Sequence, residues 1–150
     1  VSMIDVSLRS IFLDNLLDLK NRLKMSCLYI THDLNIADYV ADEMMVLCHG
    51  SMVEMGKAKS MVEDPLHPYT EILVDSIPIP DPTKRWKETL RVEFSTLKEF
   101  RVEQGCKFSH RCPHAMKMCR KQNPPLTEVK PGRKVACFLH TEVVQATGSG

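Results

Sequence analysis

Four cysteines, Cys106, Cys112, Cys119 and Cys137, fall within 32 residues at the spacing C-x5-C-x6-C-x17-C, and only Cys27 and Cys48 lie elsewhere. The same window carries Pro113, Pro124, Pro125, Pro131 and Gly132, so it reads as loop. A segment this small and polar cannot bury enough apolar surface to stand on its own core. A bound metal supplies the missing stability, because the site exists only in the folded state. The expectation is a small, loop-rich four-cysteine domain closed by a metal.

The spacing bears on which metal. Structural zinc sites bring cysteines in close pairs, about two to four residues apart, and the gaps of five, six and seventeen here are wider. Wider loops suit the larger girth of a [4Fe–4S] cluster held by four thiolates. Zinc and disulfides stay open as alternatives. Lys107, His110, Arg111, His114, Lys117, Arg120 and Lys121 surround the cysteines. Positive charge stabilises an anionic thiolate cluster, although a solvated basic face accounts for several of these residues. His110 and His114 are candidate substitute ligands. The nine methionines sit mostly at apolar periodic positions and read as core filler rather than a copper site.

Length and composition set the frame. A chain of 150 residues, 43% apolar and 26% charged, has room for one ordinary domain or a small domain plus a satellite. The longest unbroken apolar run, Met44 to Cys48, is far too short for a membrane span. The opening Val1-Ser2-Met3-Ile4-Asp5 has no secretory-signal pattern. A reducing, cytosolic compartment is the expected setting, and it favours metal over disulfide. Residues 1–82 hold 6 Lys/Arg against 13 Asp/Glu, whereas residues 83–150 hold 14 against 6. The sign changes near Ile77-Pro78-Ile79-Pro80-Asp81-Pro82, whose alternate prolines stiffen the chain as a linker does. Two domains are expected, 1–78 and 79–146, with Thr147-Gly148-Ser149-Gly150 as a tail or tag.

Periodicity predicts a helix from Val6 to Lys24, with Leu8, Ile11, Phe12, Leu16, Leu19 and Leu23 on one face. Asp5 and Ser7 are candidate caps, and Lys20, Arg22 and Lys24 suit its C-terminal end. Cys27 to Thr31 reads as a parallel strand covered on both faces. His32-Asp33 follows, then a helix through Ala41. Met44 to Cys48 reads as a second buried strand, His49-Gly50-Ser51 as a turn, and Met52 to Met55 as the returning strand. Further helices are expected from Ser60 to Glu63 and from Pro68 to Ser76, the second entered through Pro65-Leu66-His67-Pro68. The alternation of helix and strand places the chain in the α/β class.

These segments resemble, in order, the C-terminal half of an ABC-transporter nucleotide-binding domain. Ser2-Met3-Ile4-Asp5 is similar to that family's D-loop, and Ile30-Thr31-His32-Asp33-Leu34 to its switch-histidine segment. Asp64-Pro65-Leu66-His67-Pro68-Tyr69-Thr70, the alternating prolines and the four-cysteine tail resemble the extension of oligopeptide and dipeptide importer subunits. The resemblance implies the C-terminal portion of a P-loop NTPase (ABC ATPase) domain followed by a small loop-rich four-cysteine domain. It implies ATP and Mg as cofactors, His32 as a catalytic residue at the γ-phosphate, and Asp5 communicating across paired nucleotide sites. Ser2 and His32 would contact the nucleotide. It favours a [4Fe–4S] cluster on Cys106, Cys112, Cys119 and Cys137, with Zn as the alternative. The implied partners are a second ATP-binding subunit, transmembrane permease subunits and, indirectly, a peptide-binding protein, at the cytoplasmic face of the cell membrane.

No G-x-x-x-x-G-K-[ST] phosphate loop and no Leu-Ser-Gly-Gly-Gln signature occur in the chain. Cradling phosphates needs those glycine-rich backbone donors and the lysine. These residues are therefore expected to form part of a longer subunit and not to hydrolyse ATP alone. A different class, a metal-stapled nucleic-acid-binding module, is the competing reading of the basic tail. Trp86, Phe94, Phe100 and Phe108 are too scattered for a stacking platform, so no nucleic-acid partner is expected.

Overall fold

A computed structural model of the protein describes residues 6–77 and 104–141. The chain divides into two compact units, Val1–Ala41 and Asp42–Gly150.

In the first unit, helix α1 runs Val6–Leu23 with Lys20 and Arg22 in its last turn, as the periodicity predicts. It closes through Lys24, which takes a left-handed φ of +50°, while Met25 N donates to Lys20 O at 3.2 Å. That long-range closing bond satisfies a carbonyl the helix would otherwise leave unpaired. Leu13 is buried, but Leu8, Ile11, Phe12, Leu19 and Leu23 remain exposed. The expected strand over Cys27–Thr31 does not form, and Leu28 and Ile30 are 89% and 87% exposed. A strand exists only by pairing, and no strand of the first unit lies among the described residues to pair with it. Helix α2 follows as Leu34–Val40, burying Ala37 and Val40. Tyr39 Oη donates to Asp14 Oδ1 at 2.5 Å and ties α2 to α1.

The second unit is built on strands β1 (Glu43–Cys48) and β2 (Ser51–Lys57). Between them His49 and Gly50 both take positive φ, +47° and +78°. This is the pattern of the tight turn that matches strand twist in two-residue hairpins. β1 alternates cleanly, with Met44, Val46 and Cys48 inward. Helices α3 (Ala58–Glu63) and α4 (Pro68–Asp75) follow. His67 caps α4 by accepting from Tyr69 N at 3.0 Å, and Pro68 enters the first turn, as expected.

The tail then contributes β3 (Thr127–Lys130) and β4 (Arg133–Val135), giving one four-stranded sheet in the order β1-β2-β4-β3. Every pairing is antiparallel, so the expected parallel sheet is absent among the described residues. β4 pairs with β2 through Glu54↔Val135 and Met55↔Lys134. The four-cysteine segment is therefore not a domain of its own, because its strands complete the sheet begun by the hairpin. The division between compact units falls at 41/42, while the boundary expected at 78/79 lies outside the described residues. The proline linker from Pro78 onward, Ser2, Asp5 and the tail at 147–150 lie outside the described residues. The architecture is mixed α/β, and no described helix is long and apolar enough to cross a membrane.

Candidate functional site

His32 sits in the turn between the extended segment and α2, and its neighbours hold that turn. Asp33 N donates to Thr31 Oγ1 at 3.0 Å, and Asp33 Oδ1 accepts from Asn35 N at 3.0 Å as the cap of α2. A short acidic cap of this kind stabilises the first helical turn. Arg9 Nη1 of α1 stands 3.9 Å from Asp33 Oδ2. His32 is exposed and lines a cleft of about 160 Å³ with Arg9, Tyr29, Thr31 and Asp33. The turn is fixed on both sides of the histidine while its ring faces solvent. Ser2 and Asp5, expected at the same nucleotide site, lie outside the described residues.

In the second unit the four tail cysteines converge. Cys106, Cys112, Cys119 and Cys137 line one cavity together with His67, Ser109 and His114. The exposed His110 is not part of that lining. All six cysteines are free thiols, so the disulfide alternative is not realised. Gly105, at φ +95°, lets the knot close. A Cβ there would lie 2.6 Å from Cys119 O, the carbonyl that Cys106 N bonds at 2.8 Å. Burial pushes the Cys106 and Cys112 thiols up and the Cys137 thiol to about 11, reinforced by the neighbouring thiols. Backbone amides pull the other way. Phe108 donates toward Cys106, His114 toward Cys112 and Leu139 toward Cys137, while Met116 N meets Cys119 Sγ at 3.4 Å. Each sulfur thus has a backbone donor.

Among the described residues, no group of three or more His, Cys, Asp or Glu is arranged to hold a metal ion. Cys106, Cys112, Cys119 and Cys137 do not form the metal site expected of them, so the [4Fe–4S] cluster and the zinc alternative are both corrected on that ground. The reason is spatial. The cysteines line a cavity of about 10 Å³, room for about one water. Burial outweighs the amide donors and favours the protonated thiol at Cys106, Cys112 and Cys137.

Beside the cavity lies a buried network the residue pattern did not reveal. Glu54, fully buried on β2, accepts from Leu66 N and His67 N, both at 3.0 Å. Arg133 of β4 reaches the same carboxylate through Nε at 3.1 Å and Nη2 at 2.6 Å. It also donates to Ser60 O at 2.8 Å and Asp64 O at 2.6 Å. Gly56 makes the space, because a Cβ there would stand 2.5 Å from Arg133 Cδ. His140 Nε2 meets Leu66 O at 2.8 Å, adding a second tie from the tail to the same loop. Glu54 and Arg133 are separated by 79 positions, so only spatial proximity identifies them as a pair.

The chain is similar to known proteins. Residues 53–119 match the family described as oligopeptide/dipeptide transporter, C-terminal region. A Bacillus subtilis protein provisionally named oligopeptide transport ATP-binding protein YkfD is 37% identical over 93% of this chain and 43% of its own length. The dipeptide transport ATP-binding protein DppF of Haemophilus influenzae is 34% identical over 92% of this chain and 42% of its own. The chain thus spans less than half the length of these relatives. The family match begins within β2. Residues 53–119 thus match the oligopeptide/dipeptide transporter C-terminal-region family, and the chain is similar along nearly all its length to peptide-transport ATP-binding proteins.

Proposed function

We propose that this chain is the C-terminal part of the ATP-binding subunit of an ABC importer for oligopeptides or dipeptides. The observation that carries the reading is its similarity, over 93% of its length, to a relative named for oligopeptide transport. In this reading the complete subunit binds ATP with Mg and closes on a second ATP-binding subunit at the cytoplasmic face of the membrane. Closure drives the transmembrane permease subunits, to which a peptide-binding protein delivers cargo.

His32 acts as the switch that meets the γ-phosphate and orients the attacking water. Phosphoryl transfer depends mainly on positioning and charge stabilisation, so one well-held imidazole has leverage. The bonds that Asp33 gives to Thr31 and accepts from Asn35 support this role by fixing the turn while the ring stays exposed. Asp5 communicates across the paired nucleotide sites, and Ser2 contributes to the nucleotide contact. The test is His32→Ala in the full-length subunit assembled with its partners. ATP turnover should fall about 10²- to 10³-fold, the scale of losing one transition-state donor, while nucleotide binding persists. Wild-type turnover would reject the assignment.

A further inference from the structure

The segment leading to His32 makes no strand, so no ladder of backbone bonds among the described residues places the histidine within the first unit. The bonds among Thr31, Asp33 and Asn35 close the turn on itself. They set its shape, but not where it stands against α1. Side-chain ties join α1 to α2 near both ends of α2. In its last turn Tyr39 donates to Asp14. At its cap Arg9 Nη1 faces Asp33 Oδ2 at 3.9 Å, with both side chains partly buried. Asp33 divides its two oxygens, since Oδ1 caps α2 through Asn35 N while Oδ2 is the one near the guanidinium. Asp33 directly follows His32, and Arg9 lines the same cleft as the histidine.

We propose that Arg9 is a positioning residue for His32: its guanidinium holds the Asp33 carboxylate and so fixes how the histidine stands at the γ-phosphate. The proposal rests on the switch-histidine reading given under the proposed function. At 3.9 Å the pair is too long for a hydrogen bond and acts through charge. A partly exposed pair of this kind adds little to stability. It acts instead on the placement of the turn against α1, which the bonds within the turn do not control. Placement matters here because phosphoryl transfer is catalysed almost entirely by positioning and charge stabilisation. Neither Arg9 nor Asp33 has to touch the nucleotide for this, so losing the pair costs turnover and spares affinity.

The experiment measures steady-state ATP hydrolysis by the full-length subunit assembled with its partners, comparing wild type, Arg9→Gln, Asp33→Asn, the double variant and His32→Ala. Asparagine at position 33 still offers Oδ1 to Asn35 N, so D33N removes the charge and keeps the cap. R9Q and D33N should each lower kcat by the same factor, with KM for ATP unchanged. That factor extends up to about 10², the cost of misplacing a group by about 1 Å. The double variant should be no slower than either single one, because both changes remove the same contact. Wild-type kcat in R9Q or D33N, a loss confined to KM, or factors that multiply in the double variant would overturn the proposal. Should R9Q fail to assemble, D33N carries the test. A lowered kcat at constant KM in D33N supports the proposal, and a wild-type kcat overturns it. H32A turning over at the wild-type rate rejects the switch reading itself, a result distinct from a wild-type R9Q beside an impaired H32A.

Discussion

Glu54 and Arg133 show how much one buried pair can govern. The carboxylate receives two backbone amides and two guanidinium nitrogens, so neither charge is left without partners in the interior. A buried ion pair is a weak source of net stability, but breaking it strands a charge. Arg133→Met is expected to destabilise the second unit by about 3–5 kcal/mol, read by chemical denaturation. Adding Glu54→Met should recover only part of that loss, because Leu66 N and His67 N still lose their acceptor. His67 offers a pH test. Burial lowers its pKa from 6.5 to about 4, against the pull of Glu54 and with some help from His140. The folded state therefore refuses a proton that the unfolded chain accepts. Stability from this residue is complete above about pH 6.5, falls as pH drops toward 4, and levels off below, a loss of about 3 kcal/mol in all. Replacing His67 by Asn, which keeps the cap, should flatten that part of the stability–pH curve. Neither feature is legible in the residue pattern: Glu54 looks like one polar position of a hairpin and Arg133 like one more charge in a basic tail.

At the scale of elements, local rules account for most of what formed. α1, α2, β1, α3 and α4 each lie within a few residues of the spans their periodicity and caps predict, because those signals operate within one or two turns of chain. Lys24 marks a local cost. A non-glycine residue at φ +50° is strained relative to glycine, which takes that conformation freely. Lys24→Gly should raise the stability of the first unit by about 0.5–1 kcal/mol, visible as a higher midpoint in thermal or urea unfolding. The element that failed, Cys27–Thr31, has strand composition and no neighbour among the described residues to pair with. Composition can propose a strand, but only a second strand makes one. β3 and β4 went unread for the opposite reason. They are short and polar, and a Pro131-Gly132 turn with φ +70° at Gly132 was masked by the loop-like character of the whole window.

For the whole molecule, the tail is part of the core of the second unit. Without β4 and β3, β1 and β2 would be a lone two-stranded hairpin, which is marginal in water, and Glu54 would lose Arg133. A chain ending at residue 77 is therefore expected not to fold its second unit, giving collapsed amide dispersion by NMR and rapid proteolysis. A dispersed spectrum over residues 42–77 would show instead that the hairpin and its helices suffice. The sequence by itself determined the helices, the hairpin with its His49-Gly50 turn, the capped entry to α4, the four cysteines and the kinship to peptide-transport ATP-binding proteins. All of these rest on short-range patterning or on ordered motifs. Only the tertiary structure decided that the cysteine segment joins the sheet, that Glu54 meets Arg133, and that the four cysteines line one small cavity without forming a metal site. Those outcomes depend on contacts between residues tens of positions apart, and such pairings leave no periodic trace along the chain.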